Sequence, residues 1–375
     1  MNKKLAIPLG TRDLVLNESL TKRHLQNIIE NVMNLWGYNE VITPTIEYYE
    51  TFNPGFKYLD EEDMYKFFDE KGRILVLRPD MTLPISRLLA TRFKEVETPI
   101  RFRYNANIFH ANHGLAGRRN EFSDCGIELI GSKGISGDIE TLVVALETMK
   151  TIKDIDFKLE IGNVNIIKSV FKNLELSLEQ EKKLLSLINK KSIKELNDYL
   201  TDLNLEDKYY EFFNELPWLF GNKEVLEKAK KYNFNQEFLD TIDYLYEIDE
   251  QLCNLGYADY LSYDLGLVHR LSYYSGLIFR GYAQGIGKTI LSGGRYDELL
   301  NIYDMNTAAI GFAIKVDVLS EVIKINESVF NTIKIEYPKS MLIDAISEAK
   351  KLVADNKRVE LIEDNTIDKI EIRGV

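Results

Sequence analysis

Cysteine is almost missing from this chain: 375 residues hold two, Cys125 and Cys253, far apart in sequence. They suit neither a disulfide framework nor a CxxC metal site, and read as inert small side chains. Histidine is nearly as scarce, at four. Only His110 and His113 lie close together, in a polar loop with no cysteine beside them, so no metal site is expected. The longest apolar runs, such as Leu142 to Leu146 and Ala308 to Ile314, fall far short of the roughly 20 residues that cross a bilayer. No membrane span is expected. The N-terminus MNKKLAIPLG carries two lysines but no apolar segment of secretory length, which points to a cytoplasmic protein. Positive charge is in deficit, 47 Lys and Arg against 59 Asp and Glu, for a net charge of −12. That balance argues against broad nucleic-acid binding while leaving room for a local basic groove.

What is present is an ordinary globular composition, 45% hydrophobic and 28% charged, in a length that suits two or three domains. Leu25, Ile28, Ile29, Val32 and Trp36 recur at helical spacing and predict an amphipathic helix stopped by Gly37. A β-rich run then closes at Pro44. Ile74 to Leu77 predicts a short strand, after which Thr82 is expected to cap a helix carrying Ile85, Leu88 and Leu89. Strict alternation from Ile100 to Ile108 and a second strand from Glu121 to Ile130 predict a long hairpin around HANHGLAGRR. Gly137 to Lys150 returns to helical spacing, and Phe157 to Ile161 to a strand.

From about Asn165 to Gly256, Lys, Glu, Leu and Asn dominate with a single proline, Pro217, and several short helices are expected. Strand chemistry resumes at Tyr260, continues through Tyr273 to Tyr282 and Ile290 to Leu291, and gives way to a helix expected from about Ala309. The end of the chain reads β-α-β-β: a strand at Ile333 to Ile335, a helix from Met341 to Val353, and strands near Val359 to Ile362 and Ile367 to Ile372. The expected division is a core of residues 1–164 and 257–325, a helical insertion at 165–256, and a small α/β tail at 326–375.

Taken singly, the motifs are weak. GYAQGIGKT, from Gly281 to Thr289, misses the phosphate-loop spacing by one residue and runs into a β-like stretch, so a hairpin turn with Lys288 exposed is preferred. Tyr273 and Tyr274 alone suggest sheet packing. Their neighbours change that reading. The long helix and strand ending at Pro44, DMYKFFDEKGRILVLRPDMT, the hairpin ending in FSDCGIELIG, LVHRLSYYSGLIF, LSGGRYDELL and AAIGFAI follow one another in order between about Gly10 and Leu319. Together they resemble the catalytic core of class II aminoacyl-tRNA synthetases of the histidyl type. The fold this implies is α+β: an antiparallel sheet flanked by helices, dimeric through the first helix and strand, with no cofactor beyond the substrates.

In that family, arginines stabilise the phosphates as the adenylate forms. The resemblance places three such arginines at positions that here hold His110, His269 and Val318, with Arg270 one residue out of register. An imidazole is not reliably charged at neutral pH, and valine carries no charge. Losing one preorganised donor typically costs about 3–4 kcal/mol of transition-state stabilisation, so the chain is expected to be inactive as a synthetase. Only about 50 residues follow the last motif, roughly half of an anticodon-binding domain, and tRNA is not an expected partner.

Amino-acid chemistry is better preserved. The resemblance matches Asp80, Thr82 and Asp124 to the residues that take the α-amino group, and Glu128 and Tyr274, with Tyr273 beside it, to those that take the imidazole. Arg118 matches a further arginine of the loop. A carboxylate accepts an imidazole N–H and a tyrosine hydroxyl donates or accepts, so this set suits histidine. Asp124 stands where the family has glutamine, and is expected to add negative charge beside Asp80. A synthetase-like chain without the arginines is similar to the regulatory subunits of ATP phosphoribosyltransferase, the first enzyme of histidine biosynthesis. That similarity implies a hetero-oligomer with the short catalytic subunit, required for activity and carrying feedback inhibition by histidine. The competing expectations are a divergent active histidyl-tRNA synthetase, and a synthetase-like sensor of tRNA or another protein.

Overall fold

The structure, a computed structural model, describes residues 5–52, 61–111, 119–267, 273–323 and 332–374. The first helix, α1 (Leu16–Leu35), buries Leu25, Ile29, Val32 and Met33, and Gly37 at φ 82° turns the chain away. After it come β1 (Asn39–Glu40), β2 (Ile46–Tyr48), β3 (Lys66–Phe68) and β4 (Ile74–Leu77), of which the last three form a small antiparallel sheet in the order β2-β4-β3. The helix α2 (Thr82–Arg92) starts at Thr82 itself. Its capping oxygen comes instead from Asp80, whose Oδ1 accepts the Leu83 N–H at 3.1 Å.

The predicted hairpin is β5 (Ile100–Phe109) and β6 (Glu121–Ile130), paired antiparallel from Ile100–Ile130 to Phe109–Glu121. Then follow α3 (Ile135–Thr151) and β7 (Phe157–Asn163). Residues 165–256 fold as α4 (Asn165–Phe171), α5 (Leu178–Lys190), α6 (Ile193–Leu203), α7 (Asp207–Glu215), β8 (Phe220–Gly221), α8 (Glu224–Lys230) and α9 (Gln236–Asn254). Caps written in the sequence start two of these helices: a reciprocal Ser177–Gln180 box for α5 and Asn235 for α9. The segment is not purely helical, because β8 pairs with β9 (Leu261–Asp264) at one edge of the main sheet.

The sheet is completed by β10 (Leu277–Ala283), β11 (Leu291–Arg295) and β12 (Ala309–Lys315), with the short α10 (Val316–Ser320) behind. Nine of the described strands lie in the order β1-β5-β6-β12-β11-β10-β7-β9-β8. The helix expected from Ala309 is thus a central strand. An apolar run such as AIGFAI suits a fully buried strand as well as a buried helix, and its neighbours on both sides decide the matter. Pairing is antiparallel from β5 through β7 and parallel only at β1–β5 and β7–β9.

One face of the sheet, with Cys125, Ile127, Leu129, Ile310, Phe312 and Phe279, packs into the core formed with α1, α3 and the inserted helices. The other face carries Phe102, Tyr104, Ile108 and Ile278 and meets α2 and the tyrosines of the β9–β10 and β11–β12 connections. That second face holds the site. Residues 324–375 form a separate compact unit. In it β13 (Thr332–Tyr337) lies between β14 (Arg358–Glu363) and β15 (Glu371–Arg373), and α11 (Leu342–Ala354) supplies the crossover between the parallel pair β13 and β14. Its core is Ile333, Ile335, Tyr337 and Ala345.

Candidate amino-acid pocket

Alternation along β6 sends Asp124, Gly126 and Glu128 to the cleft face, while Cys125, Ile127 and Leu129 go to the core. Glu128 is only 2% exposed. Each of its carboxylate oxygens has one donor: the Thr82 hydroxyl, at 3.0 Å from Oε1, and the Tyr296 hydroxyl on Oε2. Two glycines make the room. A Cβ at Gly311, directly opposite Glu128 on β12, would collide with that carboxylate, and one at Gly294 on β11 would lie 2.7 Å from the Tyr274 ring.

Burial pushes the Glu128 carboxyl up to about 8, against the two hydroxyl bonds that favour its ionised form. Asp80 stands close enough for its charge to add to that shift, and burial raises Asp80 itself to about 6 in spite of its bonds from the Leu83 and Thr82 N–H groups. While Asp80 Oδ1 caps α2, its Oδ2 is out of contact with solvent and has no hydrogen-bond partner among the described residues. The rings of Tyr273 and Tyr274 lie 4.9 Å apart, with Tyr296 edge-on to Tyr273 at 5.9 Å. The arrangement is an aromatic box with two carboxyls that gain by meeting a cationic or N–H-bearing ligand.

The structure brings Asp80, Thr82, Glu128, Tyr273 and Tyr274 into this one cluster. Asp124 shares their face but stands four residues before Glu128, and the charges acting on it are Lys315, Asp317 and Lys22 rather than Asp80. The expected pairing of Asp124 with Asp80 is therefore not seen, because the intervening positions on the face are taken by Gly126 and the Tyr104 ring. Arg118, His113, His269 and Arg270 lie outside the described residues. His110 follows β5 with its ring edge-on to Phe122 at 5.7 Å, and Val318 is buried in the helix-side core. Sequence reasoning gave no role to Tyr296 or Tyr104. The signal for Tyr296 was its place in GGRYD, and for Tyr104 its alternation with Phe102 on β5.

Comparison with known proteins bears on the same architecture. The histidyl-tRNA synthetase family profile matches residues 10–319. A protein of Clostridium botulinum (strain Langeland) named ATP phosphoribosyltransferase regulatory subunit is 38% identical over 341 residues, 90% of this chain and 79% of the relative. The chain belongs to the family of ATP phosphoribosyltransferase regulatory subunits. A protein of the same name from Bacillus thuringiensis (strain Al Hakam) is 37% identical over 96% of this chain and 86% of its own length. Among solved structures, an ATP phosphoribosyltransferase regulatory subunit/histidyl-tRNA synthetase from Bacillus halodurans superposes with a TM-score of 0.86 at 30% identity, covering 97% of this chain and 94% of that one. Histidyl-tRNA synthetase from Nostoc sp. PCC 7120, at 19% identity and a TM-score of 0.79 over 95% of this chain and 85% of its own, shares the fold. Among the described residues no group of His, Cys, Asp and Glu is arranged to hold a metal ion, and no helix is long and apolar enough to cross a membrane.

Proposed function

We propose that the chain is a cytoplasmic, non-catalytic, histidine-sensing subunit that assembles with the short catalytic subunit of ATP phosphoribosyltransferase and carries its feedback inhibition. The observation that carries this reading is the buried Glu128, held between Thr82 and Tyr296 beside the unpartnered Oδ2 of Asp80. An imidazole N–H suits the first and an ammonium the second. The three positions where the synthetase resemblance calls for arginine hold His110, His269 and Val318, which supports binding without adenylate chemistry. Regulation requires in addition that histidine favour one assembly state, a coupling typically of about 1–3 kcal/mol.

Calorimetric titration with L-histidine, with and without the catalytic subunit, tests this. Binding is expected in both, with affinities that differ between them, and Glu128→Ala is expected to weaken it roughly 10- to 100-fold by removing a charge-assisted bond. Histidine-dependent ATP–pyrophosphate exchange should be absent; robust exchange would instead make the chain a synthetase. The homodimer belongs to the same reading. Leu35, Ile42, Ile46 and Tyr48, in and just after α1, are 75%, 86%, 47% and 42% exposed, an apolar strip that suits the dimer contact the resemblance implies. Ile42→Glu is expected to shift the chain toward monomer in light scattering with no change in its circular dichroism.

A further inference from the structure

Three consecutive carbonyls beside the pocket, those of Tyr274, Ser275 and Gly276, accept bonds from the start of the inserted helices. Lys168 Nζ donates to Tyr274 O at 3.0 Å, Asn165 Nδ2 to Ser275 O at 3.3 Å, and the Val164 N–H to Gly276 O at 3.0 Å. Backbone carbonyls are strong acceptors, and a segment held at three in a row moves with the element that holds it. On its other side, Ser275 grips the two peptides that flank Tyr296. Its N–H donates to Arg295 O at 2.8 Å, and its hydroxyl accepts the Asp297 N–H at 2.9 Å while donating to Arg295 O at 3.4 Å. A hydroxyl does both because it carries one donor and two acceptor lone pairs. Tyr296 is tied in turn by its own N–H to Ala309 O on β12 at 2.8 Å. The residue after one pocket tyrosine thus brackets the other, whose hydroxyl donates to Glu128.

We propose that Ser275 is a positioning residue that fixes the separation of Tyr274 and Tyr296 about Glu128, and that α4, through Lys168 and Asn165, makes that separation depend on where the inserted helices sit. None of these three side chains has to touch the ligand. They act through the two tyrosines. Linkage makes the coupling mutual: a ligand that draws the tyrosines onto Glu128 also holds α4 in place, by the same factor. The inserted helices then sense whether the pocket is filled, although they supply no residue to its cluster of carboxyls and rings. The inference rests on the proposed histidine pocket for its ligand, and on the bonds at residues 274–276 alone for the clasp itself.

The test combines calorimetry with L-histidine and amide hydrogen exchange, both on the full chain. Ser275→Ala should weaken histidine binding roughly fivefold or more, and Ser275→Thr, which keeps the hydroxyl, should stay within about twofold of the wild type. On a Tyr296→Phe background Ser275→Ala should cost much less, because the donor it positions is gone. Losses of equal size on both backgrounds would reduce Ser275 to a structural tie and overturn its role. Lys168 is an exposed helix position, so Lys168→Met serves where Ser275→Ala does not fold. It should speed exchange of the Ser275 and Asp297 amides about threefold or more in the unliganded chain, leave the amides of β6 and β12 as protected as before, and weaken histidine by a similar factor. Unchanged exchange at both amides would sink the link to α4. If the chain binds no histidine while Lys168→Met still loosens those two amides, the histidine reading falls and the clasp stands.

Discussion

Asp138→Ala is expected to cost about 3–5 kcal/mol of stability, the range found when one partner of a buried ion pair is removed and the other stays. Asp138 is 1% exposed and lies on α3, where its Oδ1 accepts the Arg295 Nε–H at 2.8 Å and an Nη2–H, and its Oδ2 accepts the Tyr244 hydroxyl. Arg295, 7% exposed, spends its other donors on Asp297 Oδ1 at 3.0 Å, Gly134 O at 3.0 Å and Ser132 O at 3.3 Å. Burial holds the Asp138 carboxyl above its ordinary range even with Arg295 against it. Alanine therefore strands a guanidinium and a phenol in a desolvated site. Urea denaturation followed by circular dichroism measures the loss, and Asp138→Ala combined with Arg295→Met should cost less than the sum of the two single changes. A loss under about 1 kcal/mol would show that water or Asp297 takes over the guanidinium.

The same network joins the inserted helices to the core, two parts of the chain that the sequence division keeps apart. Tyr244 comes from the inserted helices and Arg295 from the main sheet, and the residue after Arg295 is Tyr296, the donor to Glu128. Lys168 on α4 adds a second link, its Nζ donating to the Tyr274 carbonyl at 3.0 Å. The insertion thus holds the backbone at Tyr274 and, through Asp138, the side chain of the residue before Tyr296.

Local patterns showed up well in the sequence because they depend on local causes. The alternation in β5, the length of β6, the strand at Ile74 to Leu77 and the stop at Gly37 all appear where periodicity and turn chemistry put them. Trp36, counted in the stripe of α1, lies past its last turn and is 42% exposed, because the buried stripe runs through Met33 instead. The strand at Ala309 was hidden for a different reason: a central strand has no polar face, so no alternation marks it. The pocket was legible as residue types through resemblance, but partners were not. That Glu128 pairs with Thr82 and Tyr296, and that Asp124 faces Lys315, follows from which strands are neighbours in space. Residues 128 and 296 share no sequence-local signal.

Glu128→Gln is expected to stabilise the unliganded chain at about pH 8.5 by a few kcal/mol, while weakening its affinity for histidine. The sign follows from the direction of the shift. An unfolded glutamate titrates near 4.3, and burial moves Glu128 to about 8 in the fold. Its contribution to stability is fully present below about pH 4 and is lost as pH rises through about 8, because unfolding then releases a carboxylate into water. Asp124 at about 7 and Asp80 at about 6 act in the same direction, their contributions being lost by about pH 7 and pH 6. Thermal melts of the wild type between about pH 5 and 8.5 should therefore decline, and the variant should decline less, since the Thr82 and Tyr296 hydroxyls can rotate to serve an amide. Saturating histidine should restore the wild type at the upper end and do little for the variant. Coincident wild-type and variant profiles would mean that Glu128 is hydrated in solution, and the case for a desolvated acid waiting for a ligand would fail. A group that destabilises its own fold at neutral pH is retained where binding offsets the cost, and the difference between the wild-type and variant profiles measures that cost.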